Sequence, residues 1–328
     1  QLGNEARANG GNSATAAEII DYYHHVGAAV KQSKYVTWTR LNCVSYETSG
    51  RTSANESKRN NGGTNIDFVG IDVYGTNANS VKGDISGQLG TNGKNYRMIM
   101  EIDAKDANSP LYQMAALAGN KAFDYYNLGP VDGNGLYANN GHVLTERAHI
   151  DLVRQRNTIL NYANQDIALK KQGSGLYVYN YSGGNTNTES GLDGITFTPD
   201  QNSTQAIAVR HGSDEVALLS TCKGKFVLPE MYAGYKAQKG YFNADNEFVA
   251  LTNLNIRNST VTMPQTTCIL LTKNPRDLTS TAIEKVVNDS NRTPMSYYNL
   301  SGQKVSYPGK GVYIIKYSDG TSSKVVLK

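Results

Sequence analysis

The chain is poor in cysteine, tryptophan and charge. Its 328 residues include 3 Cys, 1 Trp and 18% charged side chains, and each scarcity narrows what the protein can be. Cys43, Cys222 and Cys268 are too far apart in the chain to form a metal-ligand motif. Cys222 and Cys268 fall in one β-rich stretch, where two readings are open: a disulfide in an oxidising compartment, or buried free thiols of strands. The 5 His are scattered and form no HExxH motif, so His24, His25, His142 and His149 read as surface or packing residues. With 32 basic and 28 acidic residues the formal charge is +4 and no dense basic block occurs, so nucleic acid is not an expected partner. No apolar run approaches the roughly 20 residues of a membrane helix. The opening QLGNEARANGG has neither the basic nor the apolar region of a signal peptide. GxGxxG after a strand, GxxxxGK[ST] and GxSxG are missing, leaving nucleotide binding and serine hydrolysis without a motif. No cofactor and no metal are expected.

What the chain does have is tyrosine, 22 of them. A flat apolar ring with a hydrogen-bonding tip suits sugar rings, and it also suits strands. Residues 1–170 alternate helix-like and strand-like patterns. SATAAEIIDYYHHVGAAVKQ (13–32) has an apolar stripe at helical spacing, and YVTWTRLNCV (35–44), NIDFVGIDVYG (65–75) and YRMIMEIDA (96–104) read as buried strands. SPLYQMAALAGNKA (109–122) reads as a helix with Pro110 in its first turn, FDYYNLGP (123–130) as a strand, and residues 142–171 as one long amphipathic helix. Such βα repetition implies a parallel sheet covered by helices. After Gly173 short β runs punctuated by Gly, Asn, Asp and Pro predict an all-β sandwich, with a linker and a small β module containing an SDGT hairpin turn beyond it. The expected organisation is α/β in residues 1–172, a β-sandwich in 173–275, and a linker with the β module in 276–328.

Two motifs in the first half, in this order, resemble the clan of retaining (β/α)8 glycoside hydrolases that includes β-galactosidases, β-mannanases and cellulases. QLGNEA at the start resembles the clan's strand-four ending, in which Asn-Glu supplies the acid/base. YRMIMEIDA resembles its strand-seven ending, in which a Glu is the nucleophile, and NIDFVGIDVYG between them resembles strand six with its terminal Tyr. Three βα units of roughly 30 residues fit between Glu5 and Glu101, as strand four to strand seven requires. The resemblance implies a partial TIM barrel, strands four to eight, whose upstream strands belong to a longer protein. The last 45 or so residues, with YNLSGQKV and KGVYIIKYSDGTSSKVVLK, resemble the type IX sorting modules of secreted Bacteroidetes proteins. They imply export to the periplasm, cell surface or medium.

What the resemblance implies for the site follows residue by residue. Glu101 is the nucleophile and Glu5 the acid/base, two carboxyl groups set about 5–5.5 Å apart across the scissile bond. Asn4 contacts the sugar 2-hydroxyl and Tyr74 holds or polarises Glu101. Trp38, Arg40 and Asn42 alternate on the proposed strand five and share one face, either toward the cleft or into the barrel core. Asp72 shares the face of Tyr74, and Asp103 that of Glu101. Tyr125 and Tyr126 end strand eight, where many clan members carry a Trp that floors the sugar site, and Asp132 follows in the loop. Tyr177, Tyr179 and Tyr181 either offer a sugar-binding strand face or pack against a neighbouring layer. The expected substrate is an oligo- or polysaccharide, β-galactosides ahead of β-mannosides and β-glucosides, with low turnover for the chain lacking its upstream half barrel. The alternatives are a non-catalytic glycan-binding protein with a degenerate barrel and a structural surface protein. Oligomeric state is not readable from the sequence.

Overall fold

The computed structural model describes residues 15–35, 37–74, 77–88, 95, 97–102, 104–119, 135–141, 143–278, 294–299, 302–306, 308–317 and 322–327. Helix α1 (Ala16–Lys31) begins at a reciprocal cap. The Glu18 amide donates to Thr15 Oγ1 at 3.3 Å and the Thr15 amide donates to Glu18 Oε2 at 2.7 Å, satisfying two donors that a helix start leaves open. Strands β1 (Arg40–Val44), β2 (Phe68–Val73) and β3 (Ile99–Ile102) follow, each inside a window the sequence marks as a strand. They form a parallel sheet in the order β1-β2-β3, with α2 (Ser45–Asn60) between β1 and β2, α3 (Ala78–Gln88) between β2 and β3, and α4 (Ser109–Ala118) after β3.

One face of this sheet is covered by helices. Leu41, Cys43 and Val69 cluster with Ile20 of α1 and with Ile66. Ile71, Val73, Ile99 and Ile102 cluster with Val81 and Ile85 of α3 and with Leu111, Tyr112 and Ala115 of α4. All six residues of β2, the central strand of the sheet, are buried. No closed barrel is formed by the described residues.

Between α4 and the later sheets the structure departs from the single helix expected over 142–171. Strands β4 (Tyr137–Asn140) and β5 (Val143–Glu146) make an antiparallel hairpin, followed by α5 (Ile150–Tyr162) and α6 (Asn164–Leu169). Val143 and Thr145 are β-branched, which favours strand over helix, and Gly141 supplies the positive φ of the turn, 55°. The two helices are separated at Ala163, whose φ of −143° and ψ of 38° are not helical.

The second half holds two sheets. The larger runs β14-β13-β16-β11-β10-β7-β6 and is built from β6 (Lys171–Gln172), β7 (Gly175–Tyr179), β10 (Ala206–Gly212), β11 (Glu215–Ser220), β13 (Lys236–Phe242), β14 (Phe248–Leu254) and β16 (Thr267–Thr272). The smaller runs β15-β12-β9-β8 and is built from β8 (Glu189–Ser190), β9 (Thr196–Pro199), β12 (Gly224–Val227) and β15 (Thr260–Met263). Residues of the larger sheet alternate between two cores, as period-two strands dictate. Val216, Leu218, Ile269 and Leu271 join Phe197, Phe226, Val261 and Met263 of the smaller sheet. Ala217, Leu219, Cys268 and Leu270 instead join Met114 and Leu117 of α4, Ile159 of α5 and Ile167 of α6. A polar seam accompanies this second contact: His211 Nδ1 lies 2.7 Å from Asp166 Oδ2 of α6, and Arg276 donates twice to Glu215.

Cys43, Cys222 and Cys268 are buried free thiols, so the disulfide reading of Cys222 with Cys268 does not hold. Cys222 Sγ donates to Gln155 Oε1 at 3.6 Å, and burial pushes the Cys268 thiol up. Downstream, β17 (Pro294–Tyr298), β18 (Lys304–Val305), β19 (Gly311–Tyr317) and β20 (Ser322–Leu327) form an antiparallel sheet in the order β18-β17-β19-β20. The SDGT turn and most of the expected linker lie outside the described residues. Among the described residues no helix is long and apolar enough to cross a membrane.

Candidate active site

The sheet face opposite the helices carries polar side chains. Arg40 and Asn42 of β1 are exposed, while Asp72 of β2 is 8% exposed. In the regular register Asn42 pairs with Gly70 and Val44 with Asp72, which sets Asn42 two residues short of the position opposite Asp72, on the same face.

The register between β2 and β3 is interrupted by a bulge. Ile71 pairs with Ile99, but Asp72 pairs with Glu101, so Met100 is the additional residue on β3. A bulge reverses the alternation of side chains beyond it. Ile99 and Ile102 therefore both face the helices, and Glu101 is turned to the side of Asp72. Gly70 makes room for the bulge, since a Cβ there would lie 2.4 Å from Met100 Cγ.

Four side chains meet at this point. The Tyr74 hydroxyl, just past the end of β2, donates to Glu101 Oε2. The Asn42 side chain hydrogen-bonds to Asp72. Burial first, and the charge of Glu101 second, push the Asp72 carboxyl up to about 6 from 3.8, with Asn42 acting in the opposite direction. Neighbouring strands lie about 4.8 Å apart, so two carboxyl groups in register on one face oppose each other's ionisation.

Other expected site residues lie elsewhere. Trp38 precedes β1 and is 69% exposed, with its ring 6.0 Å from that of Phe68 at the start of β2. Arg40 Nη1 points to Met98 Sδ, 3.8 Å away, beside the start of β3. Both sit at the N-terminal end of the sheet, and the structure does not bring them to Glu101. Asn4, Glu5, Asp103, Tyr125, Tyr126 and Asp132 lie outside the described residues. Tyr179 is fully buried and its hydroxyl donates to the Ile195 carbonyl at 2.9 Å, Tyr177 donates to Glu189 Oε1 at 2.9 Å, and Tyr181 accepts from Lys82 Nζ at 3.0 Å. The packing reading of this tyrosine row thus holds over the sugar-binding one.

His24 is buried and bonded to Asn55 at 2.9 Å, and His149 to the Ala104 carbonyl at 2.8 Å, both packing roles. Among the described residues no group of three or more His, Cys, Asp or Glu is placed to hold a metal ion. The Met100 bulge was not foreseen from the sequence, because the run MIMEI carries no glycine or turn residue that marks one.

No protein-family model and no curated protein matches the chain. Distant structural neighbours are glycoside hydrolases. A GH30 endoxylanase from Clostridium papyrosolvens C71 aligns at 13% identity and TM-score 0.32, over 82% of this chain and 63% of that one. A GH86 protein in complex with neoagarooctaose aligns at 10% identity and TM-score 0.33, over 93% of this chain and 54% of that one. The chain thus spans less than two thirds of either neighbour.

Proposed function

We propose that the chain is the later part of a secreted retaining glycoside hydrolase acting on β-glycosides, β-galactosides foremost. In this reading β1, β2 and β3 are strands five, six and seven of a (β/α)8 barrel, the two sheets after Gly173 form an accessory sandwich, and the last sheet is the sorting-type module. Glu101 attacks the anomeric carbon and forms a glycosyl ester, while Glu5 gives its proton to the leaving oxygen and later takes one from water. Asn4 holds the sugar 2-hydroxyl. Tyr125 and Tyr126 are assigned to the substrate-binding walls.

The observation that carries this reading is the hydrogen bond from Tyr74 to the Glu101 carboxylate at the C-terminal ends of adjacent parallel strands. Active sites of βα barrels lie at that end. A phenol hydrogen bond fixes one carboxylate oxygen and leaves the other to attack, which is the orientation a nucleophile needs.

The test is chemical rescue. Glu101→Ala, in the 328-residue chain and in a version extended upstream, is assayed on aryl β-glycosides with and without azide. Loss of turnover, restored by azide with an α-glycosyl azide as product, is the result expected of a missing nucleophile. A β-glycosyl azide, or undiminished turnover without azide, contradicts the assignment.

A further inference from the structure

The double displacement above leaves one group of the cluster without a task. Asp72 is more deeply buried than any other polar residue of the polar sheet face, at 8% exposed, and the bulge at Met100 brings Glu101 into register with it. A carboxyl group in that position feels every change of charge on Glu101. The titratable and charged groups around it, among the described residues, are Glu101 on β3 and Tyr74 past the end of β2 on its own face, with Arg40 and Cys43 on the neighbouring strand β1. The Arg40 guanidinium goes to the Met98 sulfur and the Cys43 thiol, on the helix side, accepts from Arg51 at 3.5 Å. The Tyr74 proton goes to Glu101. The Asn42 side chain hydrogen-bonds to Asp72 and favours its ionised form.

We propose that Asp72 is the proton store of this site in mildly acidic solution: there it holds a proton while Glu101 is anionic and releases it when Glu101 is esterified. The inference rests on Glu101 being the nucleophile. When a Glu101 oxygen bonds to the anomeric carbon, the bond to the leaving oxygen breaks and the carboxylate charge is consumed in the ester. The repulsion on Asp72 is then relieved, and Asp72 ionises, giving its proton to water. When water displaces Glu101 from the anomeric carbon, the carboxylate charge returns and Asp72 takes up a proton again. Asp72 touches neither bond and acts through Glu101, as a positioning residue. Its neutral form during the anionic phase avoids a doubly charged pair in a sheltered place. The upward displacement of the Asp72 carboxyl agrees with this geometry.

The experiment is a carboxyl carbon-13 NMR titration of the 328-residue chain labelled at aspartate, with the Asp72 signal assigned by Asp72→Asn. A midpoint near pH 6 is expected, falling by about one pH unit in Glu101→Gln and by a similar amount in a 2-fluoroglycosyl adduct on Glu101. Asn42→Ala, at an exposed position, removes the hydrogen bond that favours the ionised form and is expected to move the midpoint upward. A midpoint that is unchanged in Glu101→Gln, or an Asp72 signal that titrates near pH 4 in the parent chain, overturns the inference. If no adduct forms on Glu101 the glycosidase reading fails, and the proton store with it as a catalytic device. The Glu101→Gln comparison still decides by itself whether the two carboxyls form a pair.

Discussion

Residue by residue, the cluster at Asp72, Tyr74 and Glu101 is a balance of like charge against hydrogen bonding. Burial and the Glu101 charge raise Asp72 to about 6 from 3.8, so the folded state binds its proton more tightly than the unfolded chain does. The stabilisation from this group is complete below about pH 4 and is lost as the pH rises through about 6. Asp72→Asn is therefore expected to flatten the decline in melting temperature over that interval. An unaltered slope in thermal melts across pH 4–7 contradicts the linkage. Tyr74→Phe removes a hydrogen bond to a carboxylate, the kind of bond worth about 1.5–3 kcal/mol, and is expected to lower kcat/KM on aryl β-glycosides about 10- to 100-fold. Melting temperature should hardly change, since Tyr74 is 54% exposed, and an unchanged kcat/KM argues against the Tyr74 role.

At the scale of elements, legibility followed the apolar pattern. The windows around β1, β2 and β3 announced themselves by β-branched and aromatic runs, and α4 by Pro110 and a stripe of Leu, Met and Ala. Helix α2 was not read, for a physical reason: the side it buries is polar, with Thr48, Thr52, Asn55 and Glu56 inside. Its partners are equally polar, Asn55 meeting His24 at 2.9 Å and Glu56 Oε1 accepting the Asn95 amide at 3.1 Å. A helix that packs through hydrogen bonds leaves no hydrophobic period to find. Strand β5 was absorbed into a helix because Val143 and Leu144 continue the apolar spacing of α5, although both are exposed. The bulge that turns Glu101 depends on register, which a single strand does not encode. A second bulge lies in β14 at Leu251, opposite Lys239 and Gly240 of β13, and a Cβ on Gly240 would lie 2.0 Å from the Val249 carbonyl oxygen. Gly240→Ala forces the backbone apart and is expected to destabilise by about 1–3 kcal/mol, read by urea denaturation. A loss below about 0.5 kcal/mol, the ordinary range for a surface change, contradicts that account of the β13–β14 pairing.

For the molecule as a whole, the larger sheet ties the helices to the β half. Leu270 is fully buried in the core that joins α4, α5 and α6 to β7, β10, β11 and β16. Leu270→Ala is expected to cost about 2–5 kcal/mol and to accelerate amide exchange in α5 as well as in β16. Faster exchange confined to the strands would show that the helices stand independently of the sheet. The same anchoring holds α4, and through its contacts with β2 and β3, the strands that carry Asp72 and Glu101. The central claim concerns Glu101, and trapping tests it most directly. The 328-residue chain and its upstream-extended form are treated with activated 2-fluoro-β-glycosides, and the modified peptide is located by mass spectrometry. The account predicts one sugar bound covalently on Glu101, with the 2-fluoro-β-galactoside reacting first. A sugar attached to another residue, or no adduct with any glycoside while the folded protein still binds glycans, contradicts it.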